Sequence, residues 1–141
     1  MTSDNMTAPE AWTALILNPQ GLKAVYGERL PPLTAVRLRQ LTLHEEGPAL
    51  TLRLDLSTFP ADPPLKWAAK GFNTVQITLS FSGLRTLTLH GFGTEITADL
   101  VLEAAGTGVT VHLAAPGITV AATAEIAYLA ALSAYTDGES P

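Results

Sequence analysis

Residues 50–56 read LTLRLDL, a stretch in which leucine alternates with Thr51, Arg53 and Asp55. Successive side chains of a β-strand point to opposite faces of the sheet, so the alternation predicts a strand with one buried face and one polar face. The turn sequence Glu45-Glu46-Gly47-Pro48 comes shortly before it and predicts a hairpin with the preceding strand. The stretch therefore favours an antiparallel sheet that is covered on one face.

The same alternation continues on both sides of residues 50–56. Upstream it starts at Leu33 and slips by one position near Arg39-Gln40, which predicts a β-bulge there. Downstream it is interrupted by the proline-rich crossing FPADPPLKWAAKG, residues 59–71. Ser82-Gly83 predicts a tight turn between two later strands, and Gly-rich or Pro-Gly turns separate the others. The later strands are predicted around residues 75–81, 87–89, 96–103, 109–114 and 118–124.

Two short helices are predicted before the first strand. Thr7-Ala8-Pro9-Glu10 is a capping box for the first helix, in which Trp12, Leu15 and Ile16 share a face. Asn18-Pro19 ends that helix and can cap a second one, with a face of Leu22, Val25 and Tyr26. Gly27 then supplies the stop.

Residues 125–135 suit a helix through their alanines and a strand through their alternation, and a strand is the preferred interpretation. The predicted fold class is mainly β, at the border of α+β. It is an antiparallel meander of seven to eight strands, forming a sandwich or a partly closed barrel, behind two short N-terminal helices. One domain is expected over residues 1–141, with an ordered core from about 7 to 136 and flexible termini.

The composition excludes several classes of protein. The 141 residues carry a formal charge of -5, only eight Lys and Arg, and no cysteine. A basic footprint for nucleic acid is therefore absent from the sequence, and the lack of cysteine suits a reducing compartment. Apolar runs stay far below the ~20 residues of a membrane span. We expect a soluble cytoplasmic protein that binds neither nucleic acid nor membrane.

The sequence shows no catalytic or metal-binding motif. His44, His90 and His112 stand apart from one another and are interpreted as surface residues of a sheet. No hydroxyl is marked for activation, and Gly91-Phe92-Gly93 is interpreted as a turn because the lysine of a phosphate loop is missing. We expect no enzyme activity and no cofactor.

The order of landmarks resembles immunity protein family 50 of bacterial polymorphic toxin systems, a family of small actinobacterial and related proteins. The resemblance runs over nearly the full chain. It rests on Trp12, on Asn18 to Gly27, on Leu41 to Leu56, on Phe59 to Phe81 and, more weakly, on Leu132 to Tyr135. It implies a non-enzymatic inhibitor that acts in the cytoplasm by binding a cognate toxin, and it implies no catalytic residues.

If the protein binds a toxin, the candidate partner-binding residues lie in two loops beside residues 50–56. They are Glu45 and Glu46 in the hairpin turn, and Asp62, Lys66 and Trp67 in the crossing. The acidic residues would suit a basic nuclease. For Trp67, packing against the core is the favoured interpretation.

Two other functions stay open at the level of sequence. The strand count and the 47% apolar content also suit a small-ligand binder or hydrolase that uses the mouth of a closed barrel. A structural or assembly module that pairs through an exposed edge strand is the third possibility.

Overall fold

The computed structural model describes residues 11–137. These residues form a 3-10 helix (Ala11–Leu15), two α-helices and six strands. The α-helices are α1 (Gln20–Tyr26) and α2 (Leu65–Lys70). The strands are β1 (Val36–His44), β2 (Ala49–Asp55), β3 (Thr74–Gly91), β4 (Ile96–Ala105), β5 (Gly108–Ala115) and β6 (Ile118–Tyr135).

The six strands form one antiparallel sheet that closes into a ring. Their order is β1-β2-β3-β6-β5-β4, and β4 pairs back with β1. The predicted fold class, mainly β and antiparallel, is therefore confirmed. The strands of the LTLRLDL hairpin pair as predicted, with Leu43 opposite Leu50 and Leu38 opposite Leu54.

The strand count is six, rather than seven or eight, because two pairs of predicted strands are continuous. The chain does not turn at Ser82-Gly83; it continues through both residues within β3. Gly83 takes a φ of +68°, and the register with β6 shifts between Leu84 and Thr86, so the irregularity bends the strand and does not end it. Likewise β6 runs on from Ile118 to Tyr135, which confirms the strand interpretation of residues 125–135.

The predicted bulge in β1 is also confirmed. Leu38 pairs with Leu54 and Gln40 pairs with Arg53, so Arg39 is the extra residue. The bulge restores the alternation, and Leu41 and Leu43 therefore have the same parity as the leucines of β2.

The core lies inside the ring and consists of the apolar side chains that alternate residues of each strand direct inward. Leu50, Leu52 and Leu54 are fully buried, as are Phe81 of β3 and Leu113 of β5. Burial of each such side chain contributes about 1.5–3 kcal/mol, which makes the ring interior the main source of stability.

The helical segments close one side of this core. Trp12 is buried and its Nε1 donates to the Pro31 carbonyl at 2.8 Å, which fixes the indole ring against the core. The capping box of the first predicted helix lies outside the described residues. The second predicted helix is α1, which buries Leu22 and Tyr26 and ends at Gly27 with a φ of +66°.

Asn18 does not cap α1, contrary to prediction. Its Nδ2 donates to the Leu129 carbonyl at 2.9 Å, and its Oδ1 accepts from the Leu129 N–H at 3.2 Å. The backbone of Leu129 in β6 thus pairs with both the Nδ2 and the Oδ1 of this amide, and the pair of bonds docks the helical segment onto the sheet. Helix α2, inside the crossing, was not predicted because Pro63-Pro64 favours extended chain; these prolines lie just before its first turn.

Candidate partner-binding surfaces

The first predicted pair of site residues lies in the turn between β1 and β2, which we call the hairpin end (residues 43–46). Glu45 and Glu46 are both exposed. Beside them Leu43 is 51% exposed, although it has the parity of the core. The His44 ring lies 3.3 Å from the Thr51 hydroxyl. The hairpin end thus combines two carboxylates with one uncovered apolar side chain.

The other three predicted residues lie in the crossing between β2 and β3. Asp62 and Lys66 are exposed, whereas Trp67 is half-buried against the core and has its ring centroid 6.2 Å from that of Phe59. Helix α2 also presents Leu65, which is 89% exposed. Sequence reasoning missed Leu65 because no periodicity inside the crossing distinguished its exposed side.

The crossing is fastened to the rest of the fold where it leaves the sheet and where it returns. The Tyr26 hydroxyl donates to the Thr58 carbonyl at 2.6 Å, and burial raises the pKa of this phenol well above its usual value. The Ser57 hydroxyl donates to the Thr34 carbonyl at 2.7 Å. At the other end, the Asn73 N–H donates to the Tyr135 carbonyl. Helix α2 therefore lies in a loop that is hydrogen-bonded to the rest of the fold at both of its ends.

The structure does not bring the five predicted residues together. The hairpin end precedes β2 and the crossing follows it, so they lie at opposite ends of this strand. Its seven residues rise about 3.3 Å each, which separates the two ends by roughly 20 Å. Glu45 and Glu46 form one surface, and Asp62, Lys66 and Trp67 form another.

A buried polar cluster, which sequence reasoning also missed, lies at the crossing end of the sheet. Asp55 is only 5% exposed, although it has the outward parity of β2. Its carboxylate accepts hydrogen bonds from Gln76 Nε2, at 2.9 Å, and from the Tyr135 hydroxyl, and it lies 3.4 Å from Arg39 Nε. The bulge at Arg39 is a local signal for one of these contacts, but nothing in the alternation points to Tyr135.

The cluster fastens strand ends together and does not expose a reactive group. Burial, followed by the hydrogen bond and the charge of Asp55, raises the pKa of Tyr135 to about 12, and the positive charge of Arg39 opposes the rise. The phenol therefore keeps its proton at neutral pH, while the Asp55 carboxylate is engaged by β1, β3 and β6. Arg53 Nη1 donates weakly to Gln76 Oε1 at 3.4 Å, and its buried Nε has no hydrogen-bond partner within residues 11–137.

The interior of the ring offers little room for a ligand. Fully buried side chains of β2, β3 and β5 fill it. A cleft of about 270 Å³ lies at one end of the ring, between the loop that includes Phe92 and Glu95 and the β5–β6 turn at Pro116. The filled interior does not favour a ligand site deep inside the ring.

The histidines are exposed on three different strands, as predicted. Across residues 11–137, no group of three or more His, Cys, Asp or Glu side chains is placed to hold a metal ion. In the same part of the chain, no helix has the length and apolar character needed to cross a membrane.

Comparison with known proteins confirms the resemblance seen in the sequence. The family model described as immunity protein 50 matches residues 18–135. Searches of curated proteins and of solved structures found no match. The matched residues include both α-helices and all six strands of the ring. On this match, the chain belongs to the immunity protein 50 family.

Proposed function

We propose that this protein binds a cognate bacterial toxin in the cytoplasm and neutralises it without catalysis. The family match over residues 18–135 is the observation that carries the proposal, since the family consists of immunity proteins. The engaged carboxylate of Asp55 and the filled ring agree with a protein that acts by contact. A tightly packed β core suits such a role because it presents its loops on a rigid frame.

The partner surface that we propose includes Glu45 and Glu46, together with Asp62, Lys66 and Trp67. An ordinary interface covers about 800 Å² on each partner, a patch roughly 30 Å across, so one toxin domain can span both ends of β2. The hairpin end is the more acidic of the two, because the crossing carries Lys66 and Lys70 as well as Asp62. A basic toxin surface would therefore meet the hairpin end first.

Growth rescue tests the function directly. We expect the gene for this chain to lie beside a gene that encodes a toxic C-terminal effector domain. Expression of that domain alone should stop growth, and co-expression of the full 141-residue chain should restore it. An inactivated form of the effector should also co-purify with the chain in a defined ratio.

A core-destabilised chain is the control for expression level. Leu52 is fully buried, so Leu52→Ala should lower the amount of folded protein and weaken rescue in proportion to that loss. If the wild-type chain is abundant and folded, yet neither rescues growth nor binds the effector, the proposed function is wrong.

A further inference from the structure

Strand β1 is paired on both sides over only part of its length. Its residues from Arg37 to His44 face β2, but β4 pairs only with Val36, Arg37 and Leu38. Within residues 11–137, Gln40–His44 makes no backbone hydrogen bond to any segment other than β2. The ring therefore has an open backbone edge, five residues long, beside the hairpin end.

The matching edge of β4 is covered by the protein itself. The Leu100 N–H donates to the Leu33 carbonyl at 2.9 Å, and the Ala35 N–H donates to Asp99 Oδ1 at 2.8 Å. The 3-10 helix packs against β4 as well. Where β1 and β4 meet, the fold therefore covers the edge of β4 and leaves the edge of β1 open.

Within Gln40–His44 the open edge lacks the charged and proline residues that usually block strand addition. Its sequence QLTLH contains no Lys, Pro or acidic residue, and Leu43 is 51% exposed on the core-facing parity. An unpaired edge of this kind offers N–H and C=O groups to an incoming strand, and Leu41 and Leu43 offer it an apolar strip. The bulge at Arg39 limits the edge at its start.

Unpaired carboxylates stand at both ends of the edge. Glu45 and Glu46 follow His44, and Glu95 directly precedes Ile96, the residue of β4 that pairs with Leu38. The ion pairs within residues 11–137 are Arg39–Asp55 and Arg85–Glu125, so none of these three glutamates has a cationic partner there. A strand that adds to this edge meets negative charge at each end.

We propose that an extended, lysine- or arginine-bearing segment of the toxin adds to the sheet as a strand beside Gln40–His44. This inference rests on the proposed function, and it names the binding mode and the chemistry of the partner. Main-chain hydrogen bonds to β1 hold the segment. Apolar side chains on one face of the toxin segment cover Leu41 and Leu43. Basic side chains at the ends of the segment contact Glu45, Glu46 and Glu95.

The charges disfavour a second copy of this chain as the occupant. An antiparallel pair of β1 strands centred on Thr42 would bring the Glu45-Glu46 turn of each copy beside Glu95 of the other, and opposite Arg39, whose charge is already engaged by Asp55. Like charges placed opposite each other across strands are destabilising. A basic heterologous segment replaces that repulsion with attraction.

Proline substitution in the edge tests the proposal, with the inactivated effector domain encoded beside this gene as the probe. Adjacent residues of β1 direct their N–H groups alternately toward β2 and toward the open side. Of Thr42→Pro and Leu43→Pro, the variant that keeps the wild-type unfolding temperature is therefore the one that blocks only the open side. We expect that variant to bind the effector at least about tenfold more weakly by calorimetry.

A charge substitution with a matched control covers the case in which both proline variants unfold. Leu43→Lys and Val101→Lys each replace a half-exposed apolar side chain with a cation, but Val101 lies on β4, opposite His112 of β5 and away from the open edge. Leu43→Lys should weaken binding of the effector about tenfold or more, whereas Val101→Lys should change it less than about twofold.

Hydrogen exchange then separates failure of this inference from failure of the proposed function. The inference requires amides within Gln40–His44 that exchange quickly in the free chain and slowly in the complex. If the wild-type chain binds the effector while the edge variants bind equally well, strand addition is wrong and the proposed function stands. Slow exchange of all five amides in the free chain, at every concentration, would overturn the inference too, because the edge would then already be covered.

Discussion

The Tyr135 hydroxyl donates a hydrogen bond to Oδ2 of Asp55, and so joins the last residue of β6 to the last residue of β2. The two residues are 80 positions apart in sequence. Gln76 of β3, which lies between these strands in the sheet, donates to the other carboxylate oxygen. The end of β6 is thus fastened across three strands.

This contact predicts a loss of stability at alkaline pH. The pKa of Tyr135 rises from 10.0 to about 12 on folding, so the folded chain holds the phenolic proton more tightly than the unfolded chain does. The contribution of the protonated Tyr135 to the free energy of unfolding is complete below about pH 10 and is lost as the pH rises toward 12. The free energy of unfolding, measured by denaturant titration, should therefore fall less steeply between about pH 10 and 12 in Tyr135→Phe than in the wild-type chain.

Burial also raises the pKa of Tyr26, so this residue likewise lowers the free energy of unfolding as the pH rises. Tyr135→Phe should therefore not abolish the pH dependence. Tyr128→Phe is the control, since Tyr128 lies on β6 away from Asp55. A pH dependence in Tyr135→Phe identical to that of the wild-type chain would show that the contact does not link proton binding to folding.

Asp55 and its neighbour Arg53 should respond differently to substitution. Asp55→Ala leaves Gln76 and Tyr135 without their acceptor and should lower the free energy of unfolding by about 2–3 kcal/mol. Arg53→Met removes a buried Nε that has no partner in residues 11–137, and should leave stability unchanged or raise it by up to about 1 kcal/mol. Urea titration measures the free energy of unfolding of the two variants. A large loss in Arg53→Met would mean that its weak bond to Gln76 is essential.

Gly91 should tolerate no side chain. It has a φ of +77°, and a Cβ built there would overlap the carbonyl oxygen of Gly117 in the neighbouring turn. Gly91→Ala should therefore cost roughly 2 kcal/mol or more of unfolding free energy. Gly93→Ala is the matched control, because its Cβ would meet nothing within 4 Å, and it should change stability by less than about 0.5 kcal/mol. Equal thermal unfolding of the two variants would contradict the geometry.

If the protein binds a basic toxin surface at the hairpin end, charge reversal there should slow association. Glu46→Lys and Asp62→Lys change the net charge equally, at opposite ends of β2. Glu46→Lys should reduce the association rate about tenfold at low salt, with a smaller effect at high salt, while Asp62→Lys should have a weaker effect. Stopped-flow mixing with the inactivated effector measures both. A larger effect of Asp62→Lys would place the contact at the crossing.

Much of the sheet could be predicted because its rules are local. The leucines of residues 50–56 are buried as their alternation requires, and the slip at Arg39 is a bulge. These features depend on neighbours within a few residues. The predicted site residues share that origin: they were selected as exposed loop positions, and four of them are exposed, while Trp67 is half-buried. Their role in binding stays a prediction.

Local pattern could not decide what depends on distant partners. Ser82-Gly83 suits a turn as well as a bend, and the pairing of β3 with β6 along its whole length selects the bend. Asn18 is a good helix cap by itself, yet the backbone of Leu129, 111 residues away, takes its amide. In both cases the sequence determined which groups were available, and contact between distant segments determined which bond formed.

The sequence by itself determined which residues face the core, because side-chain direction along a strand follows from a period of two. The tertiary structure alone decided where that core is left uncovered. Leu43 has the parity of a buried residue but stays half exposed, because β4 pairs with only the first three residues of β1. Closure of the ring depends on how far two strands distant in sequence overlap, and no local alternation records that overlap.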